Sequence, residues 1–118
     1  MANKIKIARY ETTILEVINT ALNYEVNNKI ATNATVTRVE LTNDLSVAKI
    51  YLDCLHRENI DKIVANVEKV SGFLRMKVAN ALNTYKAPEL RFYPDKSIDY
   101  ANNIDELLKQ IKEKEGNK

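Results

Sequence analysis

Tryptophan is absent from the chain, and histidine and cysteine occur once each, as His56 and Cys54. A lone cysteine forms no internal disulfide and fits a reducing compartment. With so few His and Cys residues, no cluster has metal-ligand spacing, so no metal site is expected. The phosphate-cradling P-loop, the dinucleotide fingerprint G-x-G-x-x-G and the nucleophile elbow G-x-S-x-G are all missing. Ser71 beside Gly72 therefore has no activating context, and the carboxylates stand singly or at exposed helical positions such as Asp105-Glu106. These absences predict a protein that is not an enzyme and takes no cofactor and no small-molecule substrate. Two glycines and two prolines in 118 residues exclude a loop-rich or low-complexity chain. No apolar run approaches the ~20 residues that cross a bilayer, and no signal-peptide core follows the start, so a soluble, cytoplasmic protein without a membrane partner is expected.

What is present is patterned. Tyr10, Ile14, Val17, Ile18, Ala21 and Leu22 recur at helical spacing and predict a first helix from Lys4 or Arg9 to Val26. Two strands rich in β-branched residues follow, 35–41 and 47–52, joined by Thr42-Asn43-Asp44 as an antiparallel hairpin. In the second strand Ala48, Ile50, Leu52 and Cys54 share one phase, which makes Cys54 a buried small hydrophobe; Val39 and Leu41 join that face. His56 falls in a polar loop as a solvated residue. Asn59 is the expected N-cap of a helix carrying Ile60, Ile63, Val64 and Val67, and a second helix carries Leu74, Val78, Ala81 and Leu82. The two meet at Val70-Ser71-Gly72, where a mid-helix glycine implies a needed bend or close approach. Glu89–Tyr93, between Pro88 and Pro94, predicts a third strand with Leu90 and Phe92 inward. Ile104, Leu107, Leu108 and Ile111 predict a terminal helix. The expected whole is one two-layer α+β domain over residues 1–112, ordered α-β-β-α-α-β plus that helix, with a charged tail at 113–118.

The net charge of +2 diagnoses no partner, but its distribution is uneven. Residues 1–10 carry Lys4, Lys6 and Arg9 with no acid, and no acid stands between Lys69 and Pro88, where Lys69, Arg75, Lys77 and Lys86 are all basic. On a helical wheel Lys77, Asn80, Asn83 and Thr84 lie opposite the apolar stripe, with Arg75 on its flank. Such cationic and amide donors suit a phosphate backbone. The candidate RNA-binding set is Lys6, Arg9, Lys69, Ser71, Gly72, Arg75, Lys77, Asn80 and Lys86. The outward strand phases add Arg38, Lys49, Tyr51 and Tyr93, too mixed to define a base-stacking platform.

The hairpin Val39-Glu40-Leu41-Thr42-Asn43-Asp44-Leu45-Ser46-Val47-Ala48-Lys49-Ile50-Tyr51 resembles that of the ribosome-binding factor A family. So do Ser71-Gly72-Phe73-Leu74-Arg75, Pro88-Glu89-Leu90-Arg91-Phe92 with Asp95 and Ser97, and Ile104-Asp105-Glu106-Leu107-Leu108, in the same order across residues 9–111. The resemblance implies a bacterial-type (type II) KH-like domain in which an Ala-x-Gly interhelical kink replaces the usual G-x-x-G loop. Here the kink reads Val70-Ser71-Gly72, and Asn28-Lys29-Ile30 stands where the family carries Asp-Pro-Arg. It further implies a monomeric, non-enzymatic factor that binds 16S rRNA and the free 30S subunit. Such a factor assists late subunit maturation and 5′-end processing, and is needed for growth in the cold. The alternative is a protein-interaction module of the same fold, acting through a protein partner rather than RNA.

Overall fold

The computed structural model describes residues 4–83 and 87–96. The terminal helix, the tail at 113–118 and Lys86 lie outside that range.

Helix α1 (Lys4–Thr20) closes in a wide π-type turn, Ala21–Glu25, so the helical segment ends where the Tyr10–Leu22 periodicity stops. A short 3-10 turn, Ala31–Asn33, leads into the sheet. Asn28, in the place of the family's Asp-Pro-Arg, organises that turn: its Oδ1 accepts from the backbone N–H of Ile30 and Ala31, both at 3.0 Å, and its amide donates to Asn66 at 3.3 Å.

Strands β1 (Thr35–Leu41) and β2 (Val47–Asp53) pair antiparallel, and β3 (Glu89–Pro94) pairs parallel with β2, giving the order β1-β2-β3. In the hairpin turn Asp44 accepts from the Ser46 and Thr42 hydroxyls at 2.7 and 2.8 Å, and Leu45 takes a left-handed backbone (φ 63°). Those bonds favour the charged carboxylate and lower its pKa from 3.8 to about 2. The outer edge of β1 would expose unpaired backbone groups. Asn19 of α1 covers it, accepting from Val36 N–H at 2.7 Å and donating to Val36 C=O at 3.2 Å, while Glu11 accepts from Leu41 N–H at 2.8 Å. These contacts run α1 antiparallel to β1.

Helices α2 (Ile60–Lys69) and α3 (Ser71–Leu82) complete the second layer. The core includes Ile14 and Ile18 from α1, Ala21 and Leu22 from the π-type turn after it, Val36, Val39, Leu41, Ala48, Ile50, Leu52 and Phe92 from the sheet, and Ile63, Val67, Leu74 and Val78 from α2 and α3. Both predicted hairpin strands present the expected inner face. Cys54 is buried, donates to His56 C=O, and has its thiol pKa raised by that burial. His56 is exposed in the loop.

Four expectations are corrected. Asn59 makes no side-chain cap, because a 3-10 turn at Arg57–Asn59 feeds α2 and holds Asn59 at φ −98°, ψ 6°, outside the extended geometry a cap needs. Leu90 is only half-buried, whereas Phe92 is inside, since β3 is a sheet edge. Ala81 is exposed while Ala79 packs on the core: α3 leans on α1 as well as on β3, which rotates its buried side. Gly72 is not the bend. The break falls at Val70 (φ −103°, ψ 13°), and Gly72 lies in the first turn of α3 with no positive φ and open space where a Cβ would sit.

Candidate nucleic-acid interface

The α2–α3 junction gathers part of the predicted set. Lys69 ends α2 exposed, without an ion pair among the described residues; Ser71 is half-buried and Gly72 exposed at the start of α3. Beside the junction, Glu68, Ser71, Leu90, Arg91, Phe92 and Tyr93 line a groove of about 270 Å³ between the kink and the outer edge of β3. Its walls combine donors, an apolar strip and one carboxylate, which suits an extended polar chain laid along the edge.

The other predicted cations do different work. Arg75 donates to Ala87 C=O at 3.0 Å and so ties α3 to the approach to β3. Lys77 is half-buried, pairs with Glu25 at 3.3 Å and sits 5.4 Å from the centre of the Phe73 ring. Part of its charge is therefore spent inside the molecule. Asn80 is exposed one turn further on. Lys6 and Arg9 are exposed on α1, with Lys6 5.6 Å from the Tyr10 ring. Glu25, the partner of Lys77, closes the same helical segment, so Arg9 stands about 24 Å from it at 1.5 Å per residue. Arg9 and Lys77 thus lie in separate regions.

A third cationic region appears on the sheet face that no described helix covers. Cross-strand register places Arg38, Tyr51 and Tyr93 in one row and Glu40, Lys49 and Arg91 in the next. The Arg38 guanidinium lies 4.1 Å from the Tyr51 ring centre, and the Tyr51 and Tyr93 rings are 5.8 Å apart. The Tyr51 hydroxyl donates to Glu40, which also pairs with Arg38 at 3.3 Å. Burial and the Glu40 charge raise the Tyr51 pKa, so the phenol stays neutral. The outward phases were legible in the sequence, but their lateral contiguity depends on the parallel β2–β3 register, which no local pattern announces.

No group of three or more His, Cys, Asp or Glu side chains able to hold a metal occurs among the described residues. Nor is any described helix long and apolar enough to cross a membrane.

A three-stranded sheet backed by the first helix, α1, and a broken helix pair, with α-α-β closing in parallel, is a KH-like α+β domain. The chain belongs to the ribosome-binding factor A family, whose pattern it matches over residues 6–108. It is 57% identical over 98% of its length to the ribosome-binding factor A of Ureaplasma urealyticum, of which 99% is covered. Among solved structures it is similar to a putative ribosome-binding factor A from Thermotoga maritima, at 30% identity and TM-score 0.66, covering 79% of this chain and 90% of that one. It also shares the fold of a homology model of the Thermus thermophilus ribosome-binding factor A as fitted into the cryo-electron microscopy map of a 30S–RbfA complex, at 20% identity and TM-score 0.55, covering 76% and 91%.

Proposed function

We propose that this chain acts as a monomeric, non-catalytic maturation factor in the cytoplasm. It binds the free 30S subunit through 16S rRNA and assists late folding and 5′-end processing, with its main demand at low temperature. Family membership supports ribosome binding. The single observation that carries an RNA contact is the solvent-facing junction Lys69–Ser71–Gly72 opening on the groove beside β3. Lys69 supplies a phosphate contact, Ser71 a hydrogen bond, and Gly72 leaves room for a backbone to approach.

Reversing the charge of Arg75 or Lys77 would break the Ala87 tie or oppose Glu25, and so confound binding with folding. Lys69→Glu is the cleaner variant. It is expected to leave the urea midpoint nearly unchanged, to reduce co-sedimentation with free 30S subunits severalfold, and to lower the slope of log affinity against log salt by about 1. Undiminished binding would remove the junction as the contact. Subunit binding that survives nuclease removal of the RNA would replace this reading with docking onto a ribosomal protein.

A further inference from the structure

The open face of the sheet has the parts of a second contact. Arg38, Lys49, Tyr51, Tyr93, Pro94 and Lys96 line an open depression of about 490 Å³. That lies within the range of roughly 300–1,000 Å³ typical of ligand sites. Tyr93 is 36% exposed and offers a ring to the opening. Tyr51 is held from both sides, by Arg38 over its ring and by Glu40 at its hydroxyl, and it abuts Tyr93. Little side-chain freedom remains to be lost when something stacks there. Lys49 and Lys96 are exposed with no carboxylate partner within ion-pair distance among the described residues. Arg38 and Arg91, by contrast, are matched by Glu40 and Glu89. An aromatic platform flanked by two unspent ammonium groups is complementary to a stacked base whose neighbouring phosphates carry the negative charge.

We propose that this depression is a stacking site for an unpaired base of a single-stranded RNA segment, with Tyr93 as the platform and Lys49 and Lys96 on the flanking phosphates. Tyr51 is a positioning residue that fixes the Tyr93 ring. The site deepens the ribosomal RNA reading above and rests on it. Tyr93 borders both this depression and the kink groove, but the other lining residues and the chemistry differ: the groove takes backbone along a strand edge, the depression takes a base plane between Lys49 and Lys96. A duplex keeps its bases stacked on one another and cannot offer one.

The test uses the full chain and a fluorescein-labelled oligoadenylate of about eight nucleotides, a length within the usual single-strand site sizes. An abasic ribose-phosphate oligomer of equal length and an RNA duplex serve as competitors. Oligoadenylate is expected to bind and to quench tyrosine fluorescence, with both competitors at least about tenfold weaker. Tyr93→Leu should weaken binding about tenfold, Tyr93→Phe should restore it, and Lys49→Gln with Lys96→Gln should lower the salt slope by about 1.4. Abasic or duplex RNA competing as well as oligoadenylate would overturn the stacking site without needing any variant. So would an unchanged affinity of Tyr93→Leu. If wild-type chain also fails to co-sediment with 30S subunits, the underlying ribosomal reading falls; if co-sedimentation persists while oligoadenylate is ignored, only the stacking site falls.

Discussion

The two faces of the one sheet are built from alternate residues of the same three strands, yet they obey different rules. On the inner face Ala48, Ile50 and Leu52 are completely excluded from solvent and Phe92 nearly so, all apolar. On the outer face Arg38, Glu40, Lys49, Tyr51, Arg91 and Tyr93 alternate charge with aromatic surface. Shifting the register by one residue would exchange the faces entirely, so the inner set fixes where the outer set points. Stability resides on one side and the capacity for recognition on the other. Substitutions one residue apart should therefore have unlike consequences.

Ile50→Ala is expected to have the largest effect, a loss of about 2–5 kcal/mol of unfolding free energy by urea titration. The adjacent Lys49→Gln should stay within about 0.5 kcal/mol; comparable losses at both positions would erase the distinction between faces. Next comes the covered edge. Asn19→Ala leaves both polar groups of Val36 without their protein partner and should cost about 1–3 kcal/mol. No loss at all would mean that water serves the edge equally well. The helix layer has its own inner and outer sides, with Leu74 and Val78 inside and Gly72 outside. Because Gly72 has an ordinary backbone and an empty Cβ position, Gly72→Ala should raise stability by about 0.4–1 kcal/mol. If 30S binding falls as stability rises, the missing methyl serves an incoming partner rather than the fold. The smallest effect concerns Asp44 in the hairpin turn. Its folded pKa, about 2, lies below the ordinary 3.8, so its contribution is fully present above that ordinary value and is lost as pH falls through about 2. The urea midpoint of the wild type should exceed that of Asp44→Asn at pH 5, and the gap should narrow from about pH 4 to pH 2. A gap independent of pH would exclude the carboxylate as its source.

Much of the inner architecture was legible in local pattern. Period-two alternation located β1, β2 and their inward residues, and helical spacing located Ile14, Ile18, Ile63, Val67, Leu74 and Val78. Several of the features that local pattern missed share a cause, namely contacts between residues distant in sequence. Lys77 looked free because its nearest acids in sequence are remote, but Glu25 reaches it from the end of the π-type turn after α1. Arg75 looked free of internal partners until the chain returned with the Ala87 carbonyl. Gly72 drew attention as a glycine inside a helical run, although an ordinary β-branched residue, Val70, makes the break. Tyr51 and Tyr93 were seen separately, and only the parallel pairing of β3 sets their rings side by side.

That pairing also has a temporal consequence. β1 and β2 meet across the short Thr42–Ser46 turn, whereas β3 returns to β2 only after the whole of α2 and α3 has been traversed. Closing the longer loop carries the greater entropic barrier, and distant pairings form slowly. A nascent chain emerging amino end first therefore assembles α1 on the hairpin while β3 is still being synthesised. The tyrosine pair comes into existence only when that last strand docks, so an unfinished polypeptide would carry the bent helices but not the aromatic surface.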